Sequence, residues 1–313
     1  MSSRWRRAVW AAAIWAIGFA AMAPMAPAAR AATQAAAAPE SARAECRSAP
    51  SKILGHAVAY CAVLPPSYDA EKTRRYPVLY FLHGLGGNEQ MLVNSGGMNL
   101  VEDLWDRKEI AEFVIVTPAA GQSFYINSRD GKVRYEDFFV REFIPYIERR
   151  YRIRAGRAAR GISGVSMGGF GSLHLALRHP ELFGAVSAHS AALIEKPSRA
   201  GLATAQENGL GRMLGEAFGI PFDAEYWERE SPFAIVREAP KLAGMKIYFD
   251  CGTEDDFGFN VGAQQFHDLL VARKIPHEFH LYPGGHNWDY VVEHFPASLE
   301  FHSTAFVSAP STR

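Results

Sequence analysis

The sequence has no surplus of charge of either sign. Its 313 residues contain 33 Lys and Arg and 33 Asp and Glu, so the formal net charge at pH 7 is zero. A protein that binds nucleic acid through the phosphate backbone needs a basic patch or stripe, which this composition does not favour. We therefore expect no nucleic-acid partner.

Cysteine is scarce, with three residues in the chain. Cys46 and Cys61 lie in a stretch whose alternating residues predict two antiparallel strands that fold back on each other. They form either a disulfide or two buried free thiols, and we favour the disulfide, which would close a loop of roughly 15 residues. Cys251 would then be left at the end of an apolar strand, where we expect a buried, inert thiol.

A long apolar run occurs at the N-terminus, from about Ala8 to Met22, after arginines at positions 4, 6 and 7. This order, followed by small residues, is typical of a secretory signal peptide, and Ala29-Arg30-Ala31 predicts cleavage after Ala31. The alternative is an uncleaved membrane anchor, since the run is of borderline length for a bilayer span. We expect a signal peptide at 1–31, export to the periplasm or medium, and no stable membrane insertion once it is removed.

Internal repeats and a second linker are also absent from the sequence. Residues 32–43 are rich in alanine and poor in bulky apolar side chains, so we interpret them as a flexible lead-in. Residues 44–308 then form one domain, the simplest organisation for this length. Within it, 194–237 interrupts the regular pattern and is either a lid over the site or an ordinary surface excursion.

Buried-strand patterns alternate with helical patterns from about residue 76 onward. Continuous apolar runs end at His83-Gly84, at Pro118, near Gly164, near Ala188, at Cys251 and at Gly284. This alternation predicts an α/β fold with a mainly parallel central sheet and helices on both faces. In such a sheet the chemically active loops follow the carboxyl ends of the strands.

The stretch GISGVSMGG at 161–169 contains a G-x-S-x-G pattern at Gly164 to Gly168. This pattern places a serine on a sharp turn between a strand and a helix, and its glycines allow the backbone to double back. A five-residue pattern in which two positions accept any residue is weak evidence by itself. Ser166 can be considered a nucleophile only if the sequence also supplies a base and an acid to activate it.

A serine hydroxyl becomes nucleophilic when an imidazole removes its proton and a carboxylate orients that imidazole. The chain supplies Asp255 or Asp256 and then His286, each after a predicted strand and in the order serine, acid, histidine. Singly, these are ordinary loop residues, but together they predict a catalytic triad. His189 precedes the acid in the sequence, and we expect it in the wall of the pocket.

An oxyanion that develops on the substrate needs two N–H donors. We expect one from Met167, the residue after the serine, and the other from Leu85 in the loop HGLGG. Glycine loops also bind phosphate, but this loop lacks the lysine and the spacing of a P-loop.

These motifs together resemble a known family. HGLGGNE, GVSMGGFGSLHLALRHPELF, CGTEDD and GGHNW are similar to sequences of the esterase family of α/β hydrolases, across about residues 50–300. The family includes tributyrin and feruloyl esterases, S-formylglutathione hydrolases and the antigen 85 acyltransferases. The resemblance implies the α/β-hydrolase fold, the triad Ser166, Asp255 and His286, and an oxyanion hole at Leu85 and Met167.

The resemblance also suggests finer assignments. The family's glycine-x-x-aspartate pattern falls on Gly252 to Asp255, which favours Asp255 over Asp256. Residues that line the acyl or alcohol pocket would be Tyr125 and Asn127. No cofactor and no metal are implied.

The predicted function is that of an exported serine carboxylesterase. It would hydrolyse short-chain or aryl, feruloyl-type esters, small or linked to a polysaccharide, through an acyl-enzyme. The alternatives are an acyltransferase of the antigen 85 type, a thioesterase like S-formylglutathione hydrolase, and a binding protein without catalysis. The predicted export signal disfavours the thioesterase, and His83 disfavours antigen 85, where the resemblance implies an aspartate. The oligomeric state is left open.

Overall fold

An eight-stranded sheet organises the part of the chain that the computed structural model describes, which is residues 41–196, 210–238, 242 and 244–308. In chain order the strands are β1 (Arg43–Ala49), β2 (Val58–Leu64), β3 (Val78–Leu82), β4 (Val114–Pro118), β5 (Arg160–Gly164), β6 (Ala185–His189), β7 (Lys246–Gly252) and β8 (Glu278–Tyr282).

The strands are arranged in the order β1-β2-β4-β3-β5-β6-β7-β8. β1 and β2 are antiparallel, β2 pairs antiparallel with β4, and all the remaining pairs are parallel. The predicted mainly parallel sheet is therefore confirmed. Because parallel strands end at the same edge, the loops after β3, β5, β7 and β8 lie on one side of the molecule.

Helices follow the parallel strands along the chain. They are α1 (Met91–Asn94), α2 (Gly97–Asp106), α3 (Tyr135–Phe138), α4 (Ile144–Arg150), α5 (Met167–Arg178), α6 (Leu210–Phe218), α7 (Ala224–Glu230), α8 (Pro232–Glu238), α9 (Phe259–Ala272) and α10 (Trp288–Val307). A π-helical segment, Phe139–Phe143, joins α3 to α4. Pro145 follows at the start of α4 and has no N–H to donate, so the regular α-helical pattern is interrupted just before it.

Both faces of the sheet are buried, as parallel strands require. On β3, Val78, Tyr80 and Leu82 belong to one apolar cluster, whereas Leu79 and Phe81 belong to the other. The first cluster includes side chains of α5 and α9, and the second includes side chains of α2 and α10. The helices thus cover both faces, as the sequence pattern predicted.

The β1–β2 hairpin forms one edge of the sheet. Cys46 lies opposite Cys61 in its register, and the two are joined by a disulfide. Cys251 is the free thiol of the described residues and is buried. The favoured disulfide is therefore present, and it lies at the edge opposite to β8.

Three predicted segments fall partly or wholly outside the described residues. The signal peptide and most of the lead-in, residues 1–40, are among them, although Ala42 is already buried and β1 begins at Arg43. Residues 197–209 of the candidate lid are also outside. In its described part, Phe218 and Trp227 pack against Phe124 and Phe170. Among the described residues no helix is long and apolar enough to cross a membrane.

Candidate active site

Ser166 lies on a tight turn between β5 and α5. Its backbone has φ 56° and ψ −115°, a conformation that non-glycine residues rarely adopt. Two hydrogen bonds hold it there: the N–H of Ser166 donates to the carbonyl of His189, and the N–H of Ala192 donates to the carbonyl of Ser166. Strain of this kind persists where the surroundings enforce it and is common at functional sites.

Two glycines make this turn possible. A Cβ on Gly164 would lie 2.2 Å from the carbonyl oxygen of Gly168, and a Cβ on Gly168 would lie 2.0 Å from that of Leu82. Neither backbone atom can move aside without disturbing β3 or α5. The G-x-S-x-G pattern therefore has a steric basis in this fold.

The structure brings Ser166, His286 and Asp255 together. His286 Nε2 lies 2.9 Å from Ser166 Oγ, and His286 Nδ1 lies 2.7 Å from Asp255 Oδ2. An ionised carboxylate only accepts hydrogen bonds, so Nδ1 carries the proton and Nε2 is free to accept from the serine hydroxyl. This arrangement suits a general base that removes the serine proton.

Four donors surround the carboxylate of Asp255. Besides His286, the N–H groups of Phe257 and Phe259 donate to Oδ1 at 3.0 and 3.3 Å, and the Cys251 thiol lies 3.6 Å from Oδ2. Burial alone would raise the pKa of Asp255, but the hydrogen bonds from His286 and the two N–H groups hold it below its usual value. The carboxylate is therefore ionised at neutral pH. Asp256, the reserve candidate, makes no such contact with His286 among the described residues.

The loop after β3 faces Ser166 from the other side. Within the described part of the chain, the N–H groups of Leu85 and Met167 donate to no protein acceptor. His83 fixes the loop: its Nδ1 bonds the carbonyl of Gly84, and its Nε2 accepts from the N–H of Ala120. Burial lowers the pKa of His83, which keeps the ring neutral for these two roles. Two free donors beside a nucleophile are what an oxyanion hole requires.

A half-open cavity of about 170 Å³ adjoins these groups. Its lining combines polar and apolar residues: Gly84, Leu85, Met91, Val165, Ser166, Ser190, His286, Asn287, Trp288 and Val291. A larger cavity of about 610 Å³ lies between β7, β8 and α10, and none of the predicted site residues line it. The smaller cavity is therefore the one with reactive groups.

Comparison with known sequences assigns the family. The model of the family described as "Putative esterase" matches residues 51–302, most of the chain. The chain belongs to this esterase family.

Relatives and solved structures agree with this assignment. An esterase of Mycobacterium tuberculosis (strain ATCC 25618 / H37Rv) is 30% identical over 240 residues, which cover 72% of this chain and 51% of the relative. The chain thus spans about half the length of that relative. An acetyl esterase of Caldicellulosiruptor saccharolyticus is 27% identical over 266 residues, covering 81% of this chain and 95% of the relative.

A solved ferulic acid esterase is similar in structure as well. It has a TM-score of 0.73 and 29% identity, and the match covers 85% of this chain and 99% of that protein. The chain has the α/β-hydrolase fold of this esterase family.

Two predicted pocket residues lie elsewhere. Tyr125 is completely buried, and its hydroxyl donates to the carbonyl of His83, so it supports the loop after β3 from behind. The Asn127 side chain accepts from the N–H of Asp137 at the start of α3. Neither lines the cavity at Ser166, which corrects both assignments. The resemblance implied that this stretch lies near the site but not which way its side chains point.

His189 is likewise not in the pocket wall. Its side chain is fully buried, with Nδ1 2.8 Å from Asp250 Oδ2 and Nε2 2.9 Å from Ser298 Oγ. Tyr290 donates to the other oxygen of Asp250. His189 therefore ties β6 to β7 and α10 beneath the site, while its carbonyl holds Ser166.

The sequence interpretation missed two contacts of the site. Phe257 packs edge-on against His286, with ring centroids 4.8 Å apart. The thiol of Cys251, which was expected only to fill space in the core, lies 3.6 Å from Asp255 Oδ2. Both residues lie within four positions of Asp255, and this proximity in sequence is the signal that could have predicted the contacts. Neither residue type by itself suggests the contact.

In the part of the chain that the structure describes, one cluster outside the site has the spacing of metal ligands: Glu136, His174 and Glu230. Its acids already have partners, since His179 bonds Glu136 at 2.8 Å and Arg178 bonds Glu230 at 2.8 Å. His174 Nδ1 bonds the Glu230 carbonyl, and Nε2 lies 3.0 Å from Glu136. We interpret this cluster as a buried ion-pair network that joins α3, α5 and α7.

Proposed function

We propose that this protein is a serine carboxylesterase that hydrolyses short-chain or aryl esters through an acyl-enzyme. The observation that carries the proposal is the continuous hydrogen-bonded path from Ser166 Oγ through His286 to Asp255 Oδ2. Membership of the esterase family and the likeness to acetyl and ferulic acid esterases support it.

In the first step Ser166 Oγ attacks the ester carbonyl carbon while His286 Nε2 takes the hydroxyl proton. The carbonyl oxygen becomes an oxyanion that accepts from the N–H groups of Leu85 and Met167. His286 then gives the proton to the alkoxide oxygen as the C–O bond breaks, and the alcohol leaves. Asp255 keeps His286 in the required tautomer and stabilises its charged form.

In the second step water replaces the alcohol. His286 removes a proton from the water, whose oxygen attacks the acyl carbon, and the same two N–H groups bind the new oxyanion. The proton returns from His286 to Ser166 Oγ as the acid leaves. No group beyond those named is needed to balance the protons.

The size of the cavity favours a small ester. A cavity of about 170 Å³ is smaller than typical pockets for drug-sized ligands, which are roughly 300–1,000 Å³. It supports an ester whose group inside the cavity is short or compact.

We also propose that the protein is exported. The sequence pattern of residues 1–31 supports this, and so does the Cys46–Cys61 disulfide, because disulfides persist mainly in oxidising compartments.

The test is hydrolysis of p-nitrophenyl esters from acetyl to palmitoyl, and of methyl ferulate, by purified protein. We expect turnover to be highest for short or aryl acyl groups. Replacing Ser166 by Ala should abolish it, and Asp255→Asn should lower kcat by about 10³- to 10⁴-fold, as loss of a triad carboxylate does elsewhere.

Asp256→Asn is the matched control, since Asp256 is adjacent to Asp255 and exposed. We expect it to retain most of the wild-type activity. Turnover that survives in Ser166→Ala, or an equal loss in the two aspartate variants, would show that the assigned nucleophile or acid is wrong.

A further inference from the structure

A second aspartate–histidine pair lies beneath the proposed triad. Asp250 and His189 are register partners on the neighbouring strands β7 and β6, and His189 Nδ1 lies 2.8 Å from Asp250 Oδ2. Both side chains are completely buried. A carboxylate that has left water is unfavourable unless its oxygens have polar partners. The partners of Asp250 therefore show which parts of the fold this side chain joins.

The second carboxylate oxygen of Asp250 is bound from α10. The hydroxyl of Tyr290 donates to Asp250 Oδ1 at 3.0 Å. Burial and the negative charge of Asp250 raise the pKa of the Tyr290 hydroxyl, so the hydroxyl stays protonated and remains a donor. Asp250 thus joins β6, β7 and α10 through one side chain.

The loop that carries His286 rests on Tyr290. A Cβ on Gly284 would lie 2.8 Å from the ring of Tyr290, so the backbone just before His286 packs directly on that ring. Just after His286, the side chain of Asn287 accepts from the N–H of Tyr290 at 2.9 Å. The position of His286 therefore depends on that of Tyr290, which is itself bonded to Asp250.

The turn that carries Ser166 is tied to the same aspartate. The N–H of Ser166 donates at 2.9 Å to the carbonyl of His189, the residue whose ring contacts Asp250. The N–H of Ser190 donates at 2.8 Å to the backbone carbonyl of Asp250. Ser190 has a φ of 41°, which non-glycine residues rarely adopt, and this hydrogen bond helps to hold it there.

The third member of the triad follows Asp250 along the chain. Asp250 lies near the end of β7 (Lys246–Gly252), and Asp255 is in the loop directly after that strand. The three segments that supply the triad thus meet at one buried carboxylate. Such an anchor matters for the rate, because a misplacement of reacting groups by about 1 Å can cost on the order of 10²-fold.

We propose that Asp250 is a positioning residue: through Tyr290 it holds the general base, and through His189 it holds the nucleophile, at the distance that proton transfer needs. This inference rests on the proposed esterase function and adds residues on which the triad depends. None of the three lines the cavity at Ser166. Their loss should therefore lower kcat and leave KM unchanged.

The experiment measures kcat and KM for p-nitrophenyl acetate in wild type and Tyr290→Phe, per active site counted by fluorophosphonate titration. This variant removes one hydroxyl and keeps the ring on which Gly284 packs. We expect kcat to fall by about tenfold or more and KM to stay within about twofold, since misplaced groups weaken transition-state binding and not ground-state binding. In folded Asp250→Asn, combining it with Tyr290→Phe should add little further loss, because Tyr290 acts through Asp250.

Tyr80→Phe is the matched control. It removes the hydroxyl of another completely buried tyrosine, on β3, and that hydroxyl has no hydrogen-bond partner in the part of the chain that the structure describes. It should leave kcat unchanged. Thermal unfolding separates positioning from stability, because a residue that only supports the fold would lower the unfolding temperature of Tyr290→Phe and leave kcat per active site as in wild type.

Two results would overturn the inference: a kcat per active site in Tyr290→Phe no lower than in Tyr80→Phe, or a loss that appears in KM instead of kcat. These results differ from failure of the proposed function, in which wild type would not hydrolyse p-nitrophenyl acetate or would retain activity in Ser166→Ala.

Discussion

The backbone angle at Ser166 is determined by residues other than Ser166. Its N–H is bonded to His189, the last residue of β6, and its carbonyl to Ala192 in the segment that follows. Gly164 and Gly168 leave the space in which the chain reverses. The serine hydroxyl is thus held in a fixed place by its neighbours, which is why a short pattern can predict it.

We expect Gly168→Ala to be severely destabilising, by about 3 kcal/mol or more, because the new methyl group would lie 2.0 Å from the carbonyl oxygen of Leu82. Urea unfolding monitored by circular dichroism measures this. Gly86→Ala is the control, because nothing lies within 4 Å of the Cβ position of Gly86. Only backbone strain at its φ of 79° should lower the free energy of unfolding, by about 1 kcal/mol. Equal losses in the two variants would contradict the steric explanation.

At the scale of single residues, the sequence predicted which residues meet at the site but not how the neighbouring side chains are oriented. Ser166, Asp255 and His286 could be selected because each follows a strand of one sheet, so topology alone brings them together. Tyr125 could not be assigned in this way. Whether a tyrosine next to the site faces the cavity or the core depends on the turn that carries it, and here the turn buries it.

At the scale of the elements, the strands were predicted closely and one helix was not. The apolar run that was predicted to end at Pro118 is β4 at Val114–Pro118, because a strand buried on both faces is a continuous apolar run. The sequence interpretation placed no element after GGHNW, where α10 runs from Trp288 to Val307. Pro296 lies inside this helix and is ordinarily a signal that a helix ends.

Three helices are joined by the network around Glu136. Its carboxylate bonds His174 of α5 and His179 just after it, and His174 also bonds the last carbonyl of α7. Burial alone would raise the pKa of Glu136, but the hydrogen bonds from the two histidines hold it well below its usual value. α3, which follows the loop containing Tyr125, is therefore anchored to the helix that begins at Ser166.

This lowered pKa predicts how stability depends on pH. A carboxyl whose pKa is lower in the folded state stabilises the fold above its unfolded value, about 4.3 for glutamate, and that stabilisation is lost as the pH falls towards the folded value. We expect Glu136→Gln to lower the free energy of unfolding by roughly 3 kcal/mol at pH 7, and by less at pH 3.5.

Urea unfolding of wild type and Glu136→Gln at the two pH values measures this difference. Glu181→Gln is the control, since the Glu181 side chain is 67% exposed and lies 3.7 Å from His179. It should change stability little at either pH. A deficit in Glu136→Gln that stays constant with pH would show that the carboxylate charge is not what stabilises the cluster.

At the scale of the whole sheet, the disulfide and the proposed active site lie far apart. The Cys46–Cys61 bridge is in the β1–β2 hairpin at one edge, whereas Ser166, Asp255 and His286 follow β5, β7 and β8. Three strands, β2, β4 and β3, separate β1 from β5 in the sheet order. The bridge therefore stabilises a part of the fold that does not contact the reacting groups.

We expect a Cys46→Ser/Cys61→Ser double variant to unfold more easily, by up to about 3 kcal/mol for the loop that the bridge closes, while kcat/KM for p-nitrophenyl acetate stays close to that of wild type. Thermal unfolding and ester hydrolysis at 25 °C check the two parts. A large loss of kcat/KM in protein that is still folded would contradict this separation.

The other edge of the sheet, at β8, lies next to the proposed active site. β8 is paired on one side only, with β7, and His286 is in the loop that follows it. Edge elements of a domain open locally at a lower free energy than the whole domain unfolds. We therefore expect local opening at β8 to displace the proposed general base while Ser166 stays in place, so that ester hydrolysis would be lost on heating before the domain unfolds globally.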